Sequence, residues 1–254
     1  MTKRNASFWG AVRSEGGPGS SAGSTAITAA APPTSPRSRP STARIPLFAP
    51  ASNAYPNAAV DRRCDMGANP DVEPWDMVRF AQMGAAYAAC VLGVDEPSVG
   101  LLSNGTEEHK GSAFTQSCYP LMAEHVPGFA GNCEGGDITS GSVDVVVCNG
   151  FDGNIALKSI EGAAKFMMGE LKAGMTANLK GKVAALLMRN MLRALKHKLS
   201  GDAKGGAILL GLRGVVMIGH ETSAEAVKNG TLACAEAVRA RLVERVRESM
   251  GLEA

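Results

Sequence analysis

Val143-Asp144-Val145-Val146-Val147-Cys148-Asn149-Gly150-Phe151-Asp152-Gly153-Asn154 is the stretch whose reading decides the fold of this 254-residue chain. A run of β-branched residues ends in glycine, amide and acid. An apolar run of this length, bounded by Asn and Gly, predicts a strand buried on both faces and hence a parallel strand of an α/β sheet. Ligands of such sheets sit beyond the carboxyl ends of the strands. Small and amide residues at that place let backbone N–H groups come close to an anion.

The pattern recurs. Asp65-Met66-Gly67-Ala68-Asn69 stands ahead of a helix, and residues 99–103 run into Asn104-Gly105-Thr106-Glu107-Glu108-His109-Lys110-Gly111. Near the end, residues 205–212 lead to Gly214-Val215-Val216-Met217-Ile218-Gly219-His220. One such loop is ordinary turn chemistry, but four interleaved with helical periodicity define a three-layer, mostly parallel α/β fold. Helices are expected over residues 72–92, 106–124 with a kink at Pro120, 154–172 and 182–199. A capping box, Thr222-Ser223-Ala224-Glu225, opens a last helix reaching Val246. Strands are expected over 99–102, near Phe129, over 143–148 and over 215–218.

Within these loops Lys110 is the best-placed cation for a phosphate, since Gly105 and Gly111 free the backbone beside it. Asn69 and Asn154 offer neutral donors at two strand ends, or close their own loops. Gly150 and Gly153 line the same stretch as Asn154, and Lys158 lies one turn into the following helix, able to reach back or to remain solvated. His220 follows a strand and could pass a proton to a leaving group. It lacks a second histidine at helical spacing, and no metal or other cofactor is expected.

Charge is near balance, with a formal net charge of +2, which does not point to nucleic acid. The six cysteines are scattered without a Cys-x-x-Cys pair, as in a reducing cytoplasmic protein. No apolar run approaches the roughly 18 residues that cross a bilayer, and no signal-peptide segment is seen. Residues 171–201 hold no acid yet contain Lys172, Lys180, Lys182, Arg189, Arg193, Lys196 and Lys198. With apolar residues at helical spacing, this makes a projecting basic amphipathic segment over about 160–200. It suits an anionic membrane surface or an acidic protein, or else a packing face with solvated lysines.

Residues 1–63 differ in kind. They are rich in Ala, Ser, Thr, Pro and Gly, carry eight Lys/Arg against two acids, and show no apolar periodicity, as expected of a disordered segment. Arg62 and Arg63 stand where a buried strand should precede the Asp65 loop, and burying them would be costly.

From Asp65 to about Arg239 the chain resembles the bacterial phosphate acyltransferases of phospholipid synthesis. Gly105, Glu107, Lys110 and Gly111 match that family's Gly-x-Glu-x-x-Lys-Gly pattern, and a histidine stands at His220 in both. The resemblance implies a fold related to phosphotransacetylases and isocitrate-dehydrogenase-like enzymes. It also implies the reaction of acyl-[acyl-carrier-protein] with phosphate to give acyl phosphate. Further implied are a homodimer with helices touching the membrane and a downstream membrane glycerol-3-phosphate acyltransferase. Ile218 departs from a common lysine, and Asn149 and Asp152 from a common Asp and Thr. The family's N-terminal part, with a further strand and loop, has no counterpart here, so residues 1–63 are expected to be foreign sequence, frame-shifted or mis-started, joined near Cys64. Two alternatives stand beside the enzyme: an inactive fragment that keeps only membrane or carrier-protein binding, and a phosphotransacetylase using acyl-coenzyme A.

Overall fold

Four short strands lie side by side in one parallel sheet in the computed structural model, which describes residues 47–50, 63–198, 205–219 and 223–252. In chain order the elements are β1 (Leu47–Pro50), β2 (Arg63–Cys64), α1 (Pro74–Cys90), β3 (Val99–Leu102), α2 (Ala113–His125), β4 (Phe129–Cys133), α3 (Asp137–Ser140) and β5 (Val145–Val147). There follow α4 (Gly150–Thr176), α5 (Leu179–Leu187), α6 (Arg189–Lys198), β6 (Ala207–Leu210), β7 (Val216–Ile218), α7 (Ala224–Arg239) and α8 (Leu242–Ser249). The parallel sheet has the order β2-β5-β3-β4, so the loops after all four strands leave the same end.

The expected double burial is present in β5, all of whose residues are buried. Val145 and Val147 join the main core with Phe80 and Met77 of α1, Leu101 of β3 and Met122 of α2. Val146 faces the other way, toward Cys133 and Ile138, with Ala156 and Ile160 of α4 packed on that second cluster. Alternation along a strand sends successive side chains to opposite faces, so three valines in a row require a helix layer on each side. α1 starts where Pro74 fits the first turn, and Glu73 and Asp76 exchange capping bonds there.

Several expectations are corrected. Residues 205–219 are not another parallel strand tip. β6 and β7 form an antiparallel hairpin in a separate sheet with the order β1-β6-β7. Only residues 211–215 separate the two strands, too few for the crossover that parallel pairing needs. β1 and Arg63 lie within the segment expected to be unstructured. Leu47-Phe48-Ala49-Pro50 pairs with β6, and Arg63 and Cys64 pair with Val146 and Val147. β2 stands at the end of the strand order.

The helix expected from Thr106 begins at Ala113, because Ser112 caps it by accepting the Thr115 N–H at 3.2 Å. The helix expected from Asn154 begins at Gly150, capped by Asn149. The helix expected over 182–199 is two helices, Leu179–Leu187 and Arg189–Lys198, divided at Met188, and nothing in the structure explains the division. The last helix is likewise two, since Arg241 takes a left-handed φ of 53° between α7 and α8. No described helix is long and apolar enough to cross a membrane.

Candidate functional site

Two loops and a helix start lie at the carboxyl end of the parallel sheet. The first loop follows β2. Asp65 is fully buried and adopts a left-handed φ of 52°. Asp is among the few non-glycine residues that visit this region, at a cost of about 1 kcal/mol or more. Its Oδ1 accepts the Gly67 and Ala68 N–H groups at 3.1 and 2.7 Å. Its Oδ2 accepts the Asn69 N–H at 3.0 Å and the Asn69 Nδ2 at 2.9 Å. Burial pushes the carboxyl above its ordinary range, against the opposing pull of these four donors.

The start of α4 closes onto this loop. Gly150 donates its N–H to the Asn69 carbonyl at 2.9 Å. A Cβ on Gly150 would lie 2.8 Å from both the Asn69 nitrogen and Asp65 Oδ1, and one on Gly153 would overlap the Asp65 carbonyl oxygen. Both glycines are therefore demanded by close approach of backbone to backbone. Asn154 packs beside Gly67, whose built Cβ would be 3.6 Å from the asparagine's own. Asn69, Gly150, Gly153 and Asn154 thus form one group. Lys158 does not join it: its Nζ bonds Glu161 at 3.0 Å along the exposed face of α4.

The second loop follows β3. Gly111 has a φ of 101° and donates to Asn104 Oδ1 at 2.8 Å, while Gln116 Nε2 donates to the His109 and Gly111 carbonyls at 2.9 and 3.0 Å. Asn132 of β4 donates to the Glu107 carbonyl at 2.8 Å. The half-buried stem of Lys110 lies across Gly105, where a Cβ would come within 2.8 Å of Lys110 Cγ and 2.9 Å of the Glu107 carboxylate. Among the described residues the Lys110 ammonium has no ion pair. The buried Ser103 Oγ and Asn132 Oδ1 beneath this loop have no partner among the described residues.

β2 and β3 flank β5 in the sheet, so the two loops stand about 10 Å apart at their roots, twice the spacing of neighbouring strands. His220 lies outside the described residues. Asp65, Ser103 and Asn132 were not among the sequence candidates, although an Asp four residues ahead of an Asn in a glycine-containing loop is a signal for local side-chain-to-backbone bonding. Burial raises Cys118 to about 11 and Cys133 to about 12, so neither forms a thiolate near neutrality.

The α4–α6 segment is unlike the sheet end. No residue of α5 is buried, and Phe166, Leu179, Leu186 and Leu187 are exposed by 68%, 78%, 68% and 82%. Lys182, Arg189 and Arg193 are exposed beside them, and Lys196 and Lys198 lie on α6.

A parallel sheet with helices on both faces and glycine-bearing loops at one end defines an α/β protein, a class whose ligands bind beyond the carboxyl ends of the strands. Residues 50–245 match the family described as fatty acid synthesis protein, and the chain belongs to that family. The match begins at residue 50, so residues 50–63 fall inside it, upstream of the expected junction. The chain is 44% identical over 188 residues to "Phosphate acyltransferase" of Desulforudis audaxviator, covering 74% of this chain and 56% of that protein. It is 40% identical over 205 residues to the protein of the same name from Brevibacillus brevis, covering 79% and 61%. With that of Acidobacterium capsulatum the identity is 44% over 173 residues, covering 68% and 51%. The chain therefore spans little more than half the length of the curated relatives it matches.

Proposed function

We propose that this chain transfers an acyl group from acyl-[acyl-carrier-protein] to inorganic phosphate, giving acyl phosphate for phospholipid synthesis. A phosphate oxygen attacks the thioester carbonyl, the new C–O bond forms as the C–S bond breaks, and the carrier thiolate leaves and takes up a proton. Phosphate is itself the nucleophile, so the protein supplies position and charge rather than a covalent intermediate. Lys110 holds the phosphate, with Gly105, Glu107 and Gly111 shaping the loop around it. Asn154, whose side chain has no hydrogen bond among the described residues, meets the carbonyl oxygen as charge develops. Asn69 supports the helix start through its carbonyl, and His220 serves the departing thiolate. Lys158, ion-paired along α4, is the weakest of the substrate-binding candidates. The observation that carries this reading is a half-buried lysine, without an ion pair among the described residues, in a glycine-bearing loop at the sheet end, in a family whose relatives bear the name phosphate acyltransferase.

The exposed apolar and basic surface of α4–α6 supports docking to an anionic membrane surface or to the acidic carrier protein. In this reading the protein is a cytoplasmic homodimer, peripheral to the membrane and close to a membrane glycerol-3-phosphate acyltransferase. Reversing Arg189, Arg193 and Lys196 to Glu abolishes binding to anionic vesicles and to carrier protein; unchanged binding rejects this surface. Each cation near such a membrane contributes about 1 kcal/mol.

A second reading follows from coverage of little more than half of the relatives: a fragment that binds but does not turn over. Phosphate-dependent release of carrier thiol by the purified chain decides between them. Turnover with acyl carrier protein supports the enzyme, turnover only with acyl-coenzyme A supports a phosphotransacetylase, and none supports the fragment.

A further inference from the structure

The most heavily committed polar side chain at the sheet end belongs to none of the groups assigned above. Asp65 is fully buried, sits in the left-handed region and accepts from the Gly67, Ala68 and Asn69 N–H groups and the Asn69 side-chain amide. The loop it closes is not idle. Its last carbonyl, that of Asn69, receives the first N–H of α4 at 2.9 Å, its Gly67 lies against Asn154, and its first carbonyl accepts from Cys148 Sγ at 3.8 Å. The clamp thus ties β2, the end of β5 and the first turn of α4 into one unit.

We propose that Asp65 is a positioning residue: its buried carboxylate clamps residues 67–69 so that the first turn of α4, and with it Asn154, is fixed at the sheet end. The proposal rests on the acyl-transfer reading for what Asn154 meets, but the clamp itself does not depend on it. Four N–H groups converge on one carboxylate, and a carboxylate accepts several such bonds where a neutral amide offers one acceptor oxygen. An Asp65→Asn side chain keeps the shape yet places two hydrogens opposite the Asn69 donors. Burial disfavours the ionised form, so the charge is held here against its own preference for water. A group retained at such a cost at the junction of strand, loop and helix points to a geometric task beyond closing a turn.

Two measurements on the full chain test this. The first is amide hydrogen exchange at Gly150, whose N–H bonds the clamped loop, together with the NMR signal of the Asn154 side-chain amide. In Asp65→Asn the Gly150 amide exchanges more than tenfold faster and the Asn154 signal shifts. Asn69→Ala, which removes one of the four donors and leaves the charge, changes both in the same direction by a few-fold and stands in should Asp65→Asn not fold. Unchanged exchange at Gly150 in the folded variant overturns the proposal. The second is steady-state kinetics with phosphate varied. Asp65→Asn lowers kcat at least tenfold with the KM for phosphate within twofold, since Lys110 holds the phosphate. An equal rise in that KM with kcat intact overturns the role toward Asn154. Where the wild-type chain shows no turnover, the acyl-transfer reading fails by itself, and the exchange and side-chain signals still judge the clamp.

Discussion

The loop after β2 and the loop after β3 leave the same end of one parallel sheet, share glycine and asparagine, and dispose of their polar groups differently. Between residues 65 and 69 the acceptors of Asp65 and the Nδ2 of Asn69 are bonded to each other, and the Asn69 carbonyl goes to α4. Between residues 103 and 111 the backbone is held by Asn104 from within and by Gln116 and Asn132 from outside, and the cation it carries has no ion pair among the described residues. A glycine and an asparagine at a strand tip therefore do not by themselves mark a binding loop. What separates the two is whether a side chain remains with bonding capacity after the loop has closed.

The largest effect that would break this contrast is on Lys110. Lys110→Ala raises the KM for phosphate by roughly 100-fold, the scale of one hydrogen bond to a charged group, and leaves thermal stability nearly unchanged. If stability falls and phosphate affinity does not, the lysine belongs to the loop's own structure.

Gly153→Ala comes next, on the other side of the comparison. A methyl there meets the Asp65 carbonyl and destabilises the protein by about 1–3 kcal/mol in urea unfolding. Gly162→Ala, further along α4 with nothing within 4 Å of the added carbon, serves as control and gains about 0.5–1 kcal/mol.

A smaller effect concerns pH. The native carboxyl of Asp65 titrates above its ordinary value of 3.8. Well above the native pKa both folded and unfolded chains are ionised, and the cost of the buried charge is constant. As pH falls through the native pKa toward 3.8 the folded chain takes up the proton first, so the wild type gains stability relative to Asp65→Asn in that window. Urea titrations of both proteins at a series of pH values read this directly, and a difference that moves the other way contradicts the dominance of burial.

The smallest effect on stability is expected on the exposed arm. Changing Leu186 and Leu187 of α5 to Gln alters unfolding free energy by no more than about 0.5 kcal/mol, because neither is buried. The same change weakens vesicle binding.

Much of this was legible in the residues. The three valines of β5, the four residues of β3 and the Pro74 start of α1 follow from periodicity and from proline's fixed φ. The grouping of Asn69, Gly150, Gly153 and Asn154 was within reach because all lie at strand ends. Sheet membership of residues 205–219 was not, since a glycine-rich apolar run serves a parallel tip or an antiparallel hairpin equally and only the length of the connection separates them. The role of Asp65 was hidden for another reason. An Asp in a loop reads as solvated or as a cap, and its full burial depends on two glycines more than 80 residues away. Nothing in the composition of residues 182–199 marks the division at Met188.

Titration of the isotopically labelled chain with inorganic phosphate, followed at the backbone amides, tests the central contrast most directly. Saturable shifts at Gly105, Lys110 and Gly111, extending to Asn154 and leaving Gly67 and Ala68 still, are the expected result. Shifts centred on residues 67–69, or spread evenly over the basic arm with none at Lys110, would contradict it.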